Sequence, residues 1–285
     1  MYKCRIMAEQ AEDREDLTDP PTGAGLLEHE NEAAPASSKP KNAFAELMAP
    51  KRKAPTSPQP EKRSKNDKSG RWRGALVQYI NNPSSFGTQV LRVTPNTVLI
   101  KDSFPKATVH LLLLPRSEKH YLLRPNEAFA DPAFLAILQE EAASAAKLAA
   151  AELERLIGSS SASNKPRLEA TDYANQPPGR DYLKEIKIGM HAHPSMDHLH
   201  IHIISKDMHS QKVKHKKHYN SFTTEFFIPL ADYPLAEDDI RRDIGFQNGN
   251  LSRDFKCWRC GRDFGNKFTQ LKKHLEDEFE EWKME

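Results

Sequence analysis

The residues with the clearest chemical potential are three histidines at alternate positions, His198, His200 and His202. Successive side chains of a β-strand face opposite sides, so these imidazoles are predicted to share one face while Leu199 and Ile201 enter the core. Three imidazoles on one face stabilise a sheet poorly, because they repel when protonated and each ring needs hydrogen-bond partners. The pattern therefore indicates a chemical role, either nucleophilic attack by a histidine or metal binding.

A metal hydrolase is one interpretation of this segment. His191 and His193 precede the strand and could ligate zinc together with the strand histidines. Such sites usually recruit a carboxylate or cysteine at a defined spacing, and only Asp197 is near, on the other strand face or in the loop. Phosphoryl transfer is the interpretation we favour, because a neutral imidazole can attack phosphorus when its other nitrogen is held in one tautomer. Flanking donors would stabilise the charge on the nonbridging oxygens, so no catalytic metal is expected.

A second cluster of ligand-type residues lies near the C-terminus, where His274 follows Cys257 and Cys260. The spacing Cys-x2-Cys-x13-His is typical of the first three ligands of a C2H2-type zinc finger. The usual second histidine is missing, but Glu278 lies four residues after His274, on the same helical face, and offers an oxygen ligand. Asp277 or a water is the alternative fourth ligand. About 30 residues cannot hold a core alone, so zinc binding and folding are predicted to be coupled.

The elements that must position these residues can be predicted from hydrophobic periodicity and turn residues. Helices are predicted over 74–81 and 132–157, the second starting at Asp131 and stopping at Gly158. Strands are predicted over 89–93, 97–101, 108–114, 183–190 and 199–205. The segment between the long helix and the fourth strand, 158–180, is expected to be a mobile loop insertion. Strands, a helix and further strands predict an α+β domain, and the last 30 residues are expected to form a separate small unit.

Composition separates the front of the chain from the rest. The chain has 285 residues, 38% apolar and 29% charged, with a mean hydropathy of −0.73, which is too polar for one compact core throughout. Residues 1–69 hold eight of the 20 prolines and no long apolar run. No stretch of about 18 apolar residues predicts a membrane span, and the N-terminus turns acidic where a signal peptide needs apolar residues. Three cysteines cannot build a disulfide framework, which favours a reducing compartment.

Charge is unevenly distributed around a formal net charge of +2. Residues 9–32 carry nine acids and one base, whereas 51–73 carry nine Lys/Arg and two acids. Basic clusters at 51–53 and 62–65 indicate a nuclear localisation signal or an arm that neutralises a nucleic-acid backbone, with a solvated linker as the alternative. A short amphipathic island around Phe44 could fold on a partner protein.

The motifs, taken in order, resemble a known superfamily. The run from His198 to Ile204 resembles the histidine-triad signature of nucleotide hydrolases and transferases, and residues 101–111 resemble its nucleotide-binding strand and loop. The HAHPSM segment at 191–196, the KHKKHYNSF segment at 214–222 and the Cys-x2-Cys pair are similar to the aprataxin family, of fungal type. This resemblance runs from about Trp72 to Trp282. It implies a histidine-triad domain, an antiparallel sheet with helices, followed by a small ββα-like zinc finger.

The resemblance also implies a division into parts and a set of roles. Residues 1–69 would be a disordered tail, 70–232 the catalytic domain with its 158–180 insertion, and 233–285 a linker and zinc-finger DNA-binding domain. His200 would attack the α-phosphorus of an adenylate, His198 and His202 would orient it and donate to phosphate oxygens, and His191 would assist the leaving group or the phosphate. Residues implied to bind nucleotide and phosphate are Asp102, which would accept the ribose hydroxyl, Lys106, His110 and Ser195. Residues implied to bind DNA are Trp72, stacking on the terminal base pair, Lys214 and His218.

The implied function is removal of AMP from 5′-adenylated DNA ends by a nuclear enzyme with a structural zinc. DNA, AMP as product and repair-scaffold proteins bound through the tail are the implied partners. A histidine-triad hydrolase of small dinucleotides or capped RNA is the first alternative, and the finger and the basic run at 206–218 argue against it. A non-enzymatic zinc-finger scaffold is the second, and the three intact histidines with Ser195 and Asp102 argue against it.

Overall fold

A computed structural model describes residues 72–172 and 175–285, and their elements follow the predicted α+β order. The helices are α1 Val77–Asn81, α2 Pro125–Ala128, α3 Pro132–Ile157, α4 Lys165–Glu169, α5 Lys216–Thr223, α6 Ile244–Ser252 and α7 Phe268–Met284. The strands are β1 Val90–Val93, β2 Thr97–Lys101, β3 His110–Pro115, β4 Ile186–His191, β5 Ile201–Ser205, β6 Phe227–Pro229, β7 Phe255–Lys256 and β8 Asp263–Gly265. Short 3-10 turns lie at Pro83–Gln89, Gly158–Ser160, Ala162–Asn164, Tyr182–Glu185, Leu230–Asp232 and Ile240–Arg242. The basic clusters and the Phe44 island lie outside the described residues.

Six strands form one antiparallel sheet in the order β1-β2-β3-β5-β4-β6. Strand β5, which carries the last histidine of the triad, therefore lies at the centre of the sheet. His202 is paired with Leu112 of β3 on one side and with Gly189 of β4 on the other. A central strand has both edges hydrogen-bonded, so the backbone that carries His202 is held on both sides.

One face of the sheet is covered by α3. Asp131 begins this helix by accepting hydrogen bonds from the Ala133 and Phe134 backbone N–H groups, as its position predicts. Apolar side chains on the inner side of α3 pack against alternate residues of the central strands, among them Ile201 of β5. Leu199 and Ile203 belong to the same cluster, so the predicted burial of the residues between the histidines is confirmed. The strand begins at Ile201 rather than 199, so only His202 lies on it, and His198 and His200 precede it.

The other face is divided between two apolar clusters with the histidines between them. Helix α1 and the turn before it cover β2 and β3 with Ile80 and Leu76. This helix is shorter than the predicted 74–81, because residues 72–76 form turns before Val77. At the β4–β6 side, Ile204, Phe222 and other residues join an aromatic cluster that includes the finger. The face of the sheet that carries the histidines is therefore bordered by apolar residues on both sides.

Residues 255–284 form the predicted ββα unit, a β7–β8 hairpin followed by α7. Its buried side chains do not form a core of their own. Phe255 and Leu271 belong to one cluster with Tyr219 of α5, and Trp282 belongs to the cluster under α3. Residues 70–285 accordingly form one compact unit, and the boundary at 232/233 stays a prediction.

The insertion between α3 and β4 is predicted from the sequence to be a mobile loop. Hydrogen bonds hold its described part against the rest of the domain. Asn164 is buried, and its side-chain amide donates to the Gly158 carbonyl and to the Tyr182 hydroxyl. The Arg180 guanidinium donates to the Trp282 carbonyl at the end of α7. The insertion thus contacts the finger helix. Among the described helices, none is both long and apolar enough to span a membrane.

Candidate active site

Five imidazoles meet on the open face of the sheet. His110 lies on β3, His191 on β4 and His202 on β5. His198 lies in the loop before β5, and His200 is the residue that precedes this strand. The ring of His202 is central, with centroids 4.5 Å from His191, 4.9 Å from His200 and 5.2 Å from His110. The three triad histidines are each only 5–6% exposed. Four of these rings, those of His110, His191, His200 and His202, contact one another, and such closely packed rings cannot all be protonated, so the cluster is built for neutral rings.

The tautomer of His200 follows from one hydrogen bond. Its Nδ1 lies 2.8 Å from the backbone carbonyl oxygen of His198, and a carbonyl can only accept. Nδ1 therefore carries the proton, and Nε2 carries the lone pair. The described residues offer Nε2 no hydrogen-bond partner. A neutral ring with a free Nε2 lone pair is the state a nucleophilic histidine needs.

A chain of hydrogen bonds sets the tautomer of His202. The Lys106 backbone N–H donates to Nδ1 of His110 at 3.2 Å, so Nε2 of His110 carries the proton. That nitrogen lies 2.9 Å from Nδ1 of His202, which must then accept and leave the proton on its own Nε2. Nε2 of His202 is buried without a partner among the described residues. The cluster thus holds a ready donor for an anionic oxygen.

Burial is the main cause that keeps these rings neutral. It lowers the pKa of His200, although the bond to the His198 carbonyl and Asp102 act in the opposite direction. Burial lowers the pKa of His110 to about 4, against the opposing charge of Asp102. It lowers the pKa of His191 and His202 well below the usual histidine range. All of these rings are therefore predominantly neutral at pH 7.

Of the other predicted nucleotide-binding residues, Asp102 and Lys106 lie next to His110, whereas Ser195 lies exposed in a loop. Asp102 lies at the end of β2, with Oδ2 3.3 Å from Nδ1 of His110 and Oδ1 accepting the Phe104 N–H. The Lys106 ammonium donates to the Phe104 carbonyl, and its charge lowers the pKa of His110. Ser195 is exposed in the loop between β4 and β5, with no hydrogen bond to the histidines in the described residues. Asp102, Lys106 and His110 are brought together, whereas Ser195 remains at the rim.

Trp72 lies in the turn before α1 rather than on the helix itself. The next residue, Arg73, is tied to the loop before His198: Nε donates to Asp197 Oδ1 at 3.1 Å, and the Asp197 N–H donates to the Arg73 carbonyl. Asp197 is thereby placed in the loop, paired with an arginine. The turn that carries Trp72 is held against the loop that enters the triad.

The metal-hydrolase alternative finds only a partial ligand set here. Among the described residues of this face, Asp102, His110 and His202 offer ligand atoms within 4.8 Å of one another. Both ring nitrogens of His110 already take part in hydrogen bonds, as does Nδ1 of His202. A metal would have to replace this chain of bonds, and His193 is not part of the grouping. The arrangement favours imidazole chemistry.

Helix α5 carries contacts that the sequence pattern did not single out. His218 accepts the Lys214 N–H at its Nδ1, so the two predicted DNA-binding residues meet at the start of the helix. Phe222, on the same helix, lies edge-on against His110 and His202. Lys187 of β4 donates to the Phe222 carbonyl. Lys187 lies in an apolar run and Phe222 at the end of the 214–222 segment, and neither position carries a spacing signal for these contacts, so only the fold shows them.

The four predicted zinc ligands converge at the finger. Ligand atoms of Cys257, Cys260, His274 and Glu278 all lie within 4.8 Å of one another. Cys260 Sγ and Glu278 Oε1 are each 3.1 Å from His274 Nε2. Tetrahedral zinc with bonds of about 2.0–2.3 Å places neighbouring ligand atoms roughly 3.3–3.8 Å apart, so this set fits the ion closely. Two thiolates, an imidazole and a carboxylate are also donors that zinc prefers, and Glu278 is the fourth ligand that fits.

Arg259, inside the Cys-x2-Cys loop, holds the outer oxygen of the carboxylate ligand. Its NH1 is 2.5 Å from Glu278 Oε2, while Oε1 faces His274. The same guanidinium reaches Glu281 and Glu285 farther along α7. In the sequence, Arg259 is one of several basic residues of the finger. Its position makes it a partner of the ligand set instead.

Two protein families match separate parts of the chain. Residues 123–218 match the family described as scavenger mRNA decapping enzyme C-term binding. Residues 223–281 match the C2HE / C2H2 / C2HC zinc-binding finger. The first range contains the histidine triad and the second contains the four converging ligands. Both matches agree with the geometry of the two sites.

Relatives and solved structures cover both parts together. An aprataxin-like protein of Saccharomyces cerevisiae is 37% identical over 218 residues, spanning 73% of this chain and 96% of that protein. One from Schizosaccharomyces pombe is 34% identical, covering 74% and 83%. Hnt3, an aprataxin ortholog solved in complex with DNA, matches with a TM-score of 0.60 at 31% identity, covering 74% of this chain and 96% of that chain. The triad, the finger and the relatives that match along nearly their whole length show that the chain belongs to the aprataxin family of histidine-triad hydrolases.

Proposed function

We propose that this chain, a DNA-repair deadenylase of the histidine-triad superfamily, removes AMP from 5′-adenylated DNA through a covalent AMP–His200 intermediate. The observation that carries the proposal is the bond from His200 Nδ1 to the His198 carbonyl, which leaves the lone pair on Nε2. Nε2 forms a bond to the α-phosphorus as the bond to the DNA 5′-phosphate oxygen breaks. Water then attacks the same phosphorus, and AMP leaves with the neutral ring restored.

The neighbouring histidines would stabilise charge on the phosphorus. The Nε2–H of His202 has no protein acceptor in the described residues, so it is available to a nonbridging oxygen. His191 Nε2 and His198 Nδ1 are likewise buried without partners, which fits roles at the leaving group and at a phosphate oxygen. The proposal gives Asp102 the ribose hydroxyls, Lys106 and His110 the charge and orientation of the phosphate site, and Ser195 a nonbridging oxygen. The carboxylate of Asp102 keeps acceptor capacity beyond its bond to the Phe104 N–H.

The proposal assigns catalysis to residues 70–232 and duplex contact to both parts of the chain. Trp72 would stack on the exposed base pair, since Arg73 anchors its turn beside the triad loop. Lys214, His218 and the finger within 233–285 would contact the phosphate backbone, which makes affinity salt-dependent. Hnt3 solved with DNA and guanosine, with a TM-score of 0.52 at 32% identity, supports DNA as the substrate. We further propose that the 1–69 tail directs the enzyme to the nucleus and recruits repair proteins.

The test compares the wild type with His200→Ala on nicked DNA carrying a 5′-adenylate. We expect AMP release to fall at least about 10³-fold in the variant, because the variant lacks the nitrogen that forms the phosphorus bond in the proposed first step. Acid-quenched wild type should contain an AMP–protein adduct that His200→Ala lacks. Melting curves confirm that the variant is folded. Equal AMP release by both proteins would refute the proposal.

A hydrolase of capped RNA or dinucleotides is the second candidate, and the match of residues 123–218 to a decapping-enzyme family favours keeping it. The two are separated by kcat/KM measured in one reaction mixture with a capped dinucleotide and adenylated duplex. We expect the duplex to be preferred, with the preference shrinking as salt rises. A preference for the capped dinucleotide at every salt concentration would make it the substrate.

A further inference from the structure

Helix α5 touches both the zinc-ligand loop and the histidine cluster. Tyr219 faces the loop and Phe222 faces the histidines, three residues apart on one short helix. We infer that Tyr219 is a positioning residue, whose hydroxyl transmits the shape of the Cys257–Cys260 loop through Phe222 to the histidines. The inference rests on the proposed function, because it concerns the rate of that reaction.

The finger end of this connection is a fully buried hydroxyl. Tyr219 is 0% exposed, and its hydroxyl donates to the Lys256 carbonyl at 2.9 Å. The Trp258 backbone N–H donates to the same oxygen at 3.0 Å. These two partners flank the zinc ligand Cys257. The hydroxyl is therefore satisfied on both sides only while the loop keeps its ligand-bearing shape.

The histidine end is an aromatic ring packed against three imidazoles. The Phe222 centroid lies 4.6 Å from His191, 5.1 Å from His202 and 5.4 Å from His110. The interplanar angles with His202 and His110 are 85° and 87°, the edge-to-face geometry that aromatic pairs prefer. A ring in this position limits rotation of the imidazoles that would hold the phosphate. A shift of α5 would release them together.

The helix between the two ends is held as a rigid piece. The Asn220 side-chain amide donates to the carbonyls of Leu251 and Arg253, at the end of α6. The Thr223 hydroxyl donates to the Tyr219 carbonyl, and Lys187 of β4 donates to the Phe222 carbonyl. Lys187 and His191 lie on the same face of β4, because they are four residues apart. A shift of α5 would therefore also act on the face of β4 that carries His191.

Metal binding and folding of a finger this small are coupled, so the loop holds its shape only with its ligands assembled. Loss of that shape would leave a buried hydroxyl without either partner, and the helix would have to move to satisfy it. Zinc occupancy thereby becomes a condition for the alignment of the histidines, separate from any contact between the finger and DNA.

The experiment uses the full-length, zinc-loaded protein and the variant Tyr219→Phe, which removes only the hydroxyl. Activity is measured on adenosine 5′-phosphoramidate, a substrate without DNA, so that duplex contacts do not contribute. We expect kcat to fall about 3- to 10-fold, the effect of losing one hydrogen bond, with KM unchanged. Imidazole 15N signals of the cluster should shift, and wild type stripped of zinc should show shifts in the same direction.

Tyr182→Phe is the matched control, since Tyr182 is also buried and its hydroxyl accepts from Asn164, away from the zinc ligands. It should leave kcat and the imidazole signals unchanged. Unchanged kcat and signals in zinc-loaded Tyr219→Phe, with an active wild type, would overturn the positioning role and leave the proposed function standing. A wild type inactive on every adenylated substrate would overturn the proposed function instead. If zinc removal unfolds the chain, the zinc-loaded variant alone decides.

Discussion

Chemistry at the histidine cluster depends on where single protons sit. The His198 carbonyl holds the proton of His200 on Nδ1, and the Lys106 N–H selects the opposite arrangement for His110. Two identical side chains thus take different tautomers because their backbone partners differ. Burial then removes the positive charge that would block attack on phosphorus.

The pH dependence of the reaction follows from these lowered pKa values. The neutral form of His200 is the active one, and burial lowers its pKa, so the neutral form persists below pH 6.5. We expect the acidic limb of the kcat/KM profile, which reports the free enzyme, to have its midpoint below 6.5. Zinc content is measured at each pH, because its ligands also protonate. A midpoint above 6.5 with zinc fully retained would contradict a neutral, buried nucleophile.

Arg259 offers a prediction about the zinc site. Its guanidinium holds Glu278 Oε2 and leaves Oε1 toward His274, so it orients the carboxylate for binding through one oxygen. Arg259→Gln should weaken zinc affinity about 10- to 100-fold in chelator competition. The control is Arg262→Gln in the same hairpin, whose guanidinium lies over the Phe264 ring. Equal affinities in both variants would show that the arginine does not orient the ligand.

Among the elements, β4 and β6 pack tightly beside the histidines. Gly189 of β4 is paired with His202 on one side and Pro229 on the other. A Cβ at this position would overlap the Ile228 carbonyl oxygen and the Phe227 ring. Phe227 in turn packs against Phe222, the ring that borders the imidazoles. The absence of one methyl group allows the aromatic wall of the site to close against the sheet.

Substitution of two glycines by alanine should therefore have opposite effects. Gly189→Ala should lower the free energy of unfolding by about 1–3 kcal/mol through overpacking, and should reduce activity as Phe227 moves. Gly249→Ala, in α6 with nothing within 4 Å of the added Cβ, should raise it by about 0.5–1 kcal/mol. Urea denaturation of zinc-loaded protein measures both. A neutral Gly189→Ala would mean that β6 can retreat without cost.

At the scale of the whole molecule, one face of the sheet packs on the main hydrophobic core and the other face carries the histidines. Helix α3 and the core beneath it hold one face, while the other face keeps its histidines between α1 and the finger cluster. The finger completes its core with residues of α5 and β5, because its own side chains are too few to exclude water. Trp282 of α7 extends this contact to the cluster under α3. The finger thus contributes side chains to two of the hydrophobic clusters that pack against the catalytic sheet.

Local pattern was enough to predict much of this protein. Alternation at 198–203, the capped helix from Pro132 to Ile157 and the Cys-x2-Cys-x13-His spacing with Glu278 depend on neighbours in sequence, and sequence periodicity reports such neighbours directly. The tertiary structure alone decided which atoms meet across long separations. The bond from Lys106 to His110 and on to His202, the contact of Phe222 with three imidazoles, and the reach of Tyr219 to the Cys257 loop arise from pairing and packing between distant segments. In the sequence, Phe222 and Tyr219 look like ordinary core residues. An apolar pattern predicts that a side chain is buried, but it does not predict which distant residues the side chain contacts.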